Sequence, residues 1–301
     1  QLQPSKSIGF VKLTKQATQE QALIEAMGFG IRFVQKHEQC YFDKPSLKTL
    51  KRVTDGISLI RHNFWLFDDI VSKDSTEHLR TELKWLLSEL AGVENAIQLK
   101  TYTSKRHAFY KKINSAPALA QVINDLKELQ PSIDDIFALF HSARYNRLLL
   151  SLTTWLINKQ WRKDWSQAEL QNAEQPVIDI AHRLFDKDWK NLHRLLPKEQ
   201  SLAGNDYLNF RTQLENSLLS GNCLGALFNK DERLEFRLPW LDISHGMYEL
   251  STLDYLKQLC GGQEDAQLAK IQLWLEQKSD FLVSAMEQSR HASFDTEPYW
   301  L

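Results

Sequence analysis

Residues 46–102 constrain the fold more than any other stretch of the chain. Leu50, Val53, Ile57, Ile60, Phe64, Phe67 and Val71 recur at alternating spacings of three and four. Leu79, Leu83, Leu86, Leu90, Val93 and Ile97 do the same further on. This spacing keeps one narrow apolar seam along a helix. Two seams in succession make an antiparallel helical hairpin, with its turn at residues 72–74. One residue after each seam runs a second stripe: Lys51, Thr54, Ser58, Arg61 and Trp65 on the first arm, Arg80 and Lys84 on the second. Like charges four apart on a helix repel, so Arg80 and Lys84 gain from an anion placed between them. Solvated helix faces carry such pairs as well.

The remaining patterns are also helical. Thr18 and Gln21 form a capping box for a helix running to about Cys40. Its Gly28 and Gly30 leave room for a neighbouring helix or a bend. Pro45 starts the hairpin, and Pro117 and Pro131 bracket a short helix. The segment from Ser132 to Asp135 caps one long helix over residues 133–159, on which Arg144 and Arg147 share a face. Pro176 suits the first turn of a helix over 176–195 that bears His182, Arg183, Lys187, Lys190, His193 and Arg194. Further helices are expected over 205–221, 233–259 and 264–290, before an extended Glu297-Pro-Tyr-Trp-Leu tail. No period-two strand follows residue 14. The fold class is all-α.

A chain of 301 residues can bury a large core, as one domain or as two subdomains sharing a surface. The net charge of −1 is unevenly spread. Residues 231–301 hold 13 acidic and 6 basic side chains, whereas residues 1–230 hold 25 acidic and 31 basic. The basic part invites a polyanionic partner. No apolar run of about eighteen residues exists to span a bilayer. Cys40, Cys223 and Cys260 are dispersed and in no metal-like spacing, which leads us to expect a reducing, cytoplasmic setting. The chain begins at Gln1 without a signal-peptide core, so a piece of something longer is expected.

Motifs of catalysis are missing: there is no phosphate loop, dinucleotide fingerprint or nucleophile elbow. Asp179-Ile-Ala-His182 and Asp242-Ile-Ser-His245 have the spacing of bundle metal ligands. Such sites use Glu and need two further inward carboxylates, so no metal and no cofactor are expected. The nine tryptophans sit at apolar helical positions and read as core.

Three helices together resemble the CHAD domain, the conserved histidine α-helical domain. Arg80-Thr-Glu-Leu-Lys84-Trp85-Leu looks like the family's R-x-E-L-[RK]-W-L helix. Ser142-Ala-Arg144-Tyr145-Asn-Arg147-Leu-Leu-Leu-Ser-Leu-Thr-Thr-Trp155-Leu is similar to its S-x-R-Y-x-x-L-L-x-L-x-x-W-L helix. Pro176-Val-Ile-Asp-Ile-Ala181-His-Arg183-Leu matches the helix that follows. The type it most resembles is the C-terminal half of bacterial CYTH–CHAD proteins, whose other half is an inorganic triphosphatase. By that likeness residues 1–15 are a linker or the tail of a preceding CYTH domain, and residues 16–301 the CHAD-like part, with sub-bundles of about 16–160 and 161–301.

The resemblance implies two antiparallel, four-helix-type bundles related by pseudo-twofold symmetry, with a basic groove between them. It implies binding of inorganic polyphosphate rather than catalysis, through Lys51, Arg61, Arg80, Lys84, Arg144, Arg147, Arg183 and Lys190. The triphosphatase signature E-x-E-x-K occurs nowhere in the chain, and this chain is not expected to be an enzyme. The partners implied are polyphosphate or another phosphate polyanion and an adjoining CYTH domain. Membrane is excluded, and the balanced charge disfavours nucleic acid. The sequence departs from the family at two places. The family's first basic stripe aligns to Lys51, Thr54, Ser58, Leu59 and Arg61, of which two are basic, and the helix around 205–228 offers only Arg211. A structural scaffold for an adjoining CYTH domain therefore stands as the alternative.

Overall fold

Thr18 opens the first helix as the capping pattern requires. Its hydroxyl accepts the Gln21 N–H at 3.2 Å and its own N–H donates to the Gln21 side chain at 2.9 Å. The helix α1 (Gln19–Asp43) leads to α2 (Leu47–Leu66), capped by Ser46. The computed structural model describes residues 3–114, 124–126, 131–195, 207–260 and 266–301. The expected helix between Pro117 and Pro131 lies largely outside these residues, as do Asn205 and Asp206.

The helices α1 and α2 run antiparallel at very close range, and two glycines make that possible. A Cβ on Gly30 would sit 2.7 Å from Ile60 Cγ1, and one on Gly56 would sit 2.7 Å from Val34 Cγ2. Gly28 instead faces its own Arg32. The hairpin then continues through α3 (Lys73–Glu89) and α4 (Val93–Tyr102). The second arm is thus two helices, not one. Gly92, at φ 84°, takes a left-handed conformation between the two, just ahead of α4. Every seam residue from Leu50 to Val93 is nevertheless buried.

After α5 (Ala108–Asn114), the expected single helix over 133–159 is corrected to α6 (Ile133–His141) and α7 (Ala143–Ile157). Ser142 breaks it. Its backbone is extended, its N–H closes α6 onto Leu139, and its hydroxyl caps α7 by accepting the Tyr145 N–H. Asn146 secures the corner by donating to the Phe140 and Ser142 carbonyls at 3.0 Å. The break lets Phe137 and Phe140 pack against Tyr41 and Phe42 of α1.

A capping box at Ser166 starts α8 (Gln167–Glu174), and Pro176 immediately precedes α9 (Val177–Leu195). An isolated bridge between Thr18 and Pro176 ties the starts of α1 and α9, with Gln19 N–H to Gln175 O and Val177 N–H to Ala17 O both at 2.9 Å. The chain closes with α10 (Tyr207–Leu224), α11 (Lys230–Cys260) and α12 (Ala266–Asp295). Among the described residues there is no strand, and no helix is long and apolar enough to cross a membrane. The protein is all-helical.

The first group packs α1, α2, α3 and α7; the second pairs α9 with α10 and α11 with α12. The two groups meet where α2 touches α10, an arrangement consistent with two related bundles. One core runs through both, and a smaller cluster fills the far end of the α11–α12 pair against α4 and α5. Trp155, Trp161, Trp240 and Trp300 are buried in the main core, whereas Trp65 is exposed. All three cysteines are buried and free.

Residues ahead of α1 are extended and docked onto the bundles. Val11 is buried and donates to the Asn222 carbonyl at 2.8 Å. Phe10 lies beneath the guanidinium groups of Arg233 and Arg237, at 3.9 and 5.0 Å. Nearer the terminus, Ser5 N–H donates to His37 Nε2 at 2.9 Å.

Candidate polyanion groove

The seam rule places the candidate side chains. With Val53, Ile57, Ile60 and Phe64 turned inward, the next residues Ser58, Arg61 and Trp65 stand at the rim of α2. With Leu79 and Leu83 inward, Arg80 and Lys84 stand at the rim of α3. The third wall is α10, through Thr212, Glu215, Asn216 and Leu219. Between the three helices lies an open groove of about 660 Å³.

The contacts of α2 with α10 form the floor of this groove. His62 Nε2 meets Ser220 Oγ at 2.9 Å, and Cys223 Sγ donates to Asn63 Oδ1 at 3.0 Å. Burial pushes the His62 pKa down to about 3, so the imidazole is neutral in the working range of pH and adds no charge. Burial likewise lowers the Arg80 pKa; Asp68 and Glu77 oppose this, and the nearby Arg61 cation adds to it. Arg80 also has a structural role. Its Nη2 donates to the Phe64 carbonyl at 2.7 Å, one of the last four carbonyls of α2, and its Nε donates to Thr76 Oγ1 at 2.8 Å. A guanidinium has five N–H donors, so three remain for a ligand.

Three cations thus share the groove: Arg61, Arg80 and Lys84. Two carboxylates share it too. Glu77 is exposed, and Glu215 accepts from Tyr248 OH at 2.5 Å with Arg211 Nε 3.7 Å away. Arg211, the one cation expected from this helix, turns toward Tyr248 and Ser251 and does not line the groove.

The other five predicted residues lie elsewhere. Lys51 is paired with Asp55 at 3.1 Å and with Glu94 of α4 at 2.8 Å. Burial alone would lower the Lys51 pKa, and these two carboxylates outweigh it and raise it. Arg144 makes a forked pair with Glu82 at 2.8 and 2.9 Å and lies 3.9 Å over the Trp85 ring, on a different face of α3 from Lys84. Arg147 is exposed beside it, and Lys190 pairs with Asp186 at 3.2 Å. Arg183 lines a separate depression of about 220 Å³ with Lys187, Asp68 and Asp69. Trp65 borders both this depression and the groove. Lys187 joins Arg183 here without having been expected as a site residue; its spacing of four from Arg183 is the signal in the sequence.

Among the described residues, no cluster of three or more His, Cys, Asp or Glu side chains could hold a metal ion. Asp179, His182, Asp242 and His245 are all exposed.

The family model described as "CHAD domain" matches residues 26–236. No curated protein sequence matches the chain. Among solved structures, a crystal structure of the CHAD domain from the plant Ricinus communis superposes with a TM-score of 0.65 at 15% identity, covering 96% of this chain and 98% of that one. PptA from Streptomyces chartreusis superposes with a TM-score of 0.62 at 12% identity, covering 93% and 99%. These likenesses carry the fold, and the sequence match carries the family: the chain belongs to the CHAD domain family.

Proposed function

We propose that this protein is a polyphosphate-binding accessory domain that holds inorganic polyphosphate in the groove between α2, α3 and α10. The observation that carries this reading is the convergence of Arg61, Arg80 and Lys84 from two helices on one open groove. Fixed cations suit a flexible phosphate chain, with the arginines offering forked donors and the lysine a point charge. Arg183 and Lys187 lie beyond Trp65 but share their depression with Asp68 and Asp69, so they add little net charge to the groove. Glu77 and Glu215 oppose the three cations, and make this a weaker site than an all-basic groove. The reaction class is binding, not hydrolysis.

A second reading is a scaffold for an adjoining CYTH triphosphatase domain. It is favoured by the docking of Ser5, Phe10 and Val11, which would hold any preceding domain against the bundles.

The test is titration of long-chain polyphosphate into the purified protein at several salt concentrations. Affinity should fall with salt, at a log–log slope of about 0.7 per phosphate contacted if the chain behaves as a single-stranded polyanion. Arg61→Gln with Lys84→Gln should weaken binding and reduce that slope. Arg144→Gln with Arg147→Gln should do little. Arg80 is left intact because its loss would strip the end of α2 of a partner. No measurable affinity at low salt, or equal loss from both pairs, sinks the groove reading and leaves the scaffold.

A further inference from the structure

A basic surface lies outside the groove. Lys48 in the first turn of α2, Lys100 in the last turn of α4 and Arg106 in the turn before α5 all line a concavity of about 610 Å³. All three are exposed. The wall between them is made of Ser46, Thr101 and Ser104, with Leu47 and Ile97 behind. Among the described residues no carboxylate lines it, in contrast with the groove. Among the described residues, none of the three cations makes an ion pair. For Lys100 and Arg106 the sequence explains why: from Asn95 to Asn124 there are five Lys or Arg residues and no acid.

We propose that this corner is a second anion site, which takes a short inorganic oligophosphate of the tripolyphosphate class. Three cations from three separate elements, spread around a space this wide, fit several linked phosphates better than one. Each can meet a different phosphate with a charge-assisted hydrogen bond. The inorganic chain fits better than a nucleotide, because no side chain offers a base a free stacking face. His107, the one ring in the lining, already packs against Tyr102 at 4.4 Å and meets Trp274 edge-to-face at 6.4 Å.

The corner does not rest on the groove reading. Lys48 precedes Ser58 by ten residues on α2, roughly 15 Å of helix, and the Lys51–Asp55–Glu94 cluster lies on the face between them. A tripolyphosphate therefore occupies one site or the other, while a long chain that reaches both gains from effective concentration.

The experiment is calorimetric titration of tripolyphosphate at low salt into the native chain, the Lys48→Gln/Lys100→Gln/Arg106→Gln variant and the Arg61→Gln/Lys84→Gln variant. All substituted residues are exposed, so each variant should keep the native unfolding midpoint. The corner variant should lose one binding event, or at least about tenfold in affinity, corresponding to three lost cation–phosphate contacts. The groove variant should keep that event. A corner variant that binds with native stoichiometry and an affinity within about twofold overturns the proposal. Loss in the corner variant with no change in the groove variant supports the corner and means that tripolyphosphate does not use the groove. No binding by the native chain overturns both. A nucleoside triphosphate serves as the second arm: affinity equal to or below that of tripolyphosphate supports recognition of the phosphates alone. Tighter nucleotide binding that is lost in the corner variant overturns the inorganic assignment.

Discussion

Asp188 should make this protein less stable as pH rises from about 4 to about 6, and Asp188→Asn should abolish that dependence. The residue sits in α9 and is 5% exposed, among Phe185, Trp189, Leu214, Phe236 and Trp240. Its Oδ1 accepts from Gln213 Nε2 at 3.2 Å. Burial raises its pKa, hydrogen bonds from Gln213, Ser217 and Ser220 and the Lys187 charge oppose this, and the outcome is a rise from 3.8 to about 6. Arg237 lines the same small cavity, but its guanidinium is committed to the Leu218 carbonyl, Asn222 and the Phe10 ring. The folded state therefore binds a proton more tightly than the unfolded state. Stability is greatest below the unfolded value, falls as pH climbs to about 6, and stays reduced above it. A difference of about two pKa units at 1.36 kcal/mol each is a penalty of roughly 3 kcal/mol at neutral pH. Because the side chain is almost wholly buried, solvent screening takes little from this figure. The assay is denaturant unfolding of both proteins between pH 4 and pH 8. The stability of the Asn variant relative to native should grow by roughly 2 kcal/mol across that range. Identical pH profiles, or a relative loss at pH 8, would refute the argument.

Three other outcomes are expected. Gly56→Ala should destabilise by about 1–2 kcal/mol, because overpacking against Val34 and Phe33 exceeds the gain in helix propensity of about 1 kcal/mol; a raised unfolding midpoint would contradict the close approach of α1 and α2. Phe10→Ala should cost about 1–3 kcal/mol by leaving Arg233 and Arg237 without their ring, whereas an unchanged midpoint would mean that the extended segment contributes nothing to stability. The purified chain should release no phosphate from inorganic triphosphate with magnesium or manganese present; metal-dependent turnover lost on a point substitution within it would reverse the reading of binding without catalysis.

The helices of this protein were legible because their causes are local. Alternating spacings from Leu50 to Val71 define an inward face, and all seven of those residues are buried. Thr18 and Gln21 cap α1, and Pro176 opens α9, through contacts within one turn of the chain. The breaks at Gly92 and Ser142 were not legible. The apolar spacing runs through both, so periodicity alone reads each as continuous. At Ser142 the break is decided by what Phe137 and Phe140 must reach on α1, more than ninety residues earlier.

The candidate site divides in the same way. Standing one residue beyond the seam is a local property, and it correctly marked Arg61, Arg80 and Lys84 as rim residues. What faces each rim position is not local. Lys51 belongs to the same stripe as Arg61, yet α4 brings Glu94 to it. No Asp or Glu occurs between Ile136 and Lys163 around Arg144, yet Glu82 and Trp85 of α3 take it. Arg61, Arg80 and Lys84 meet α10, more than a hundred residues on, across open space. Periodicity determines which way a side chain points from its own helix; only the packing of helices remote in the chain decides whether it meets a carboxylate, a ring or a groove.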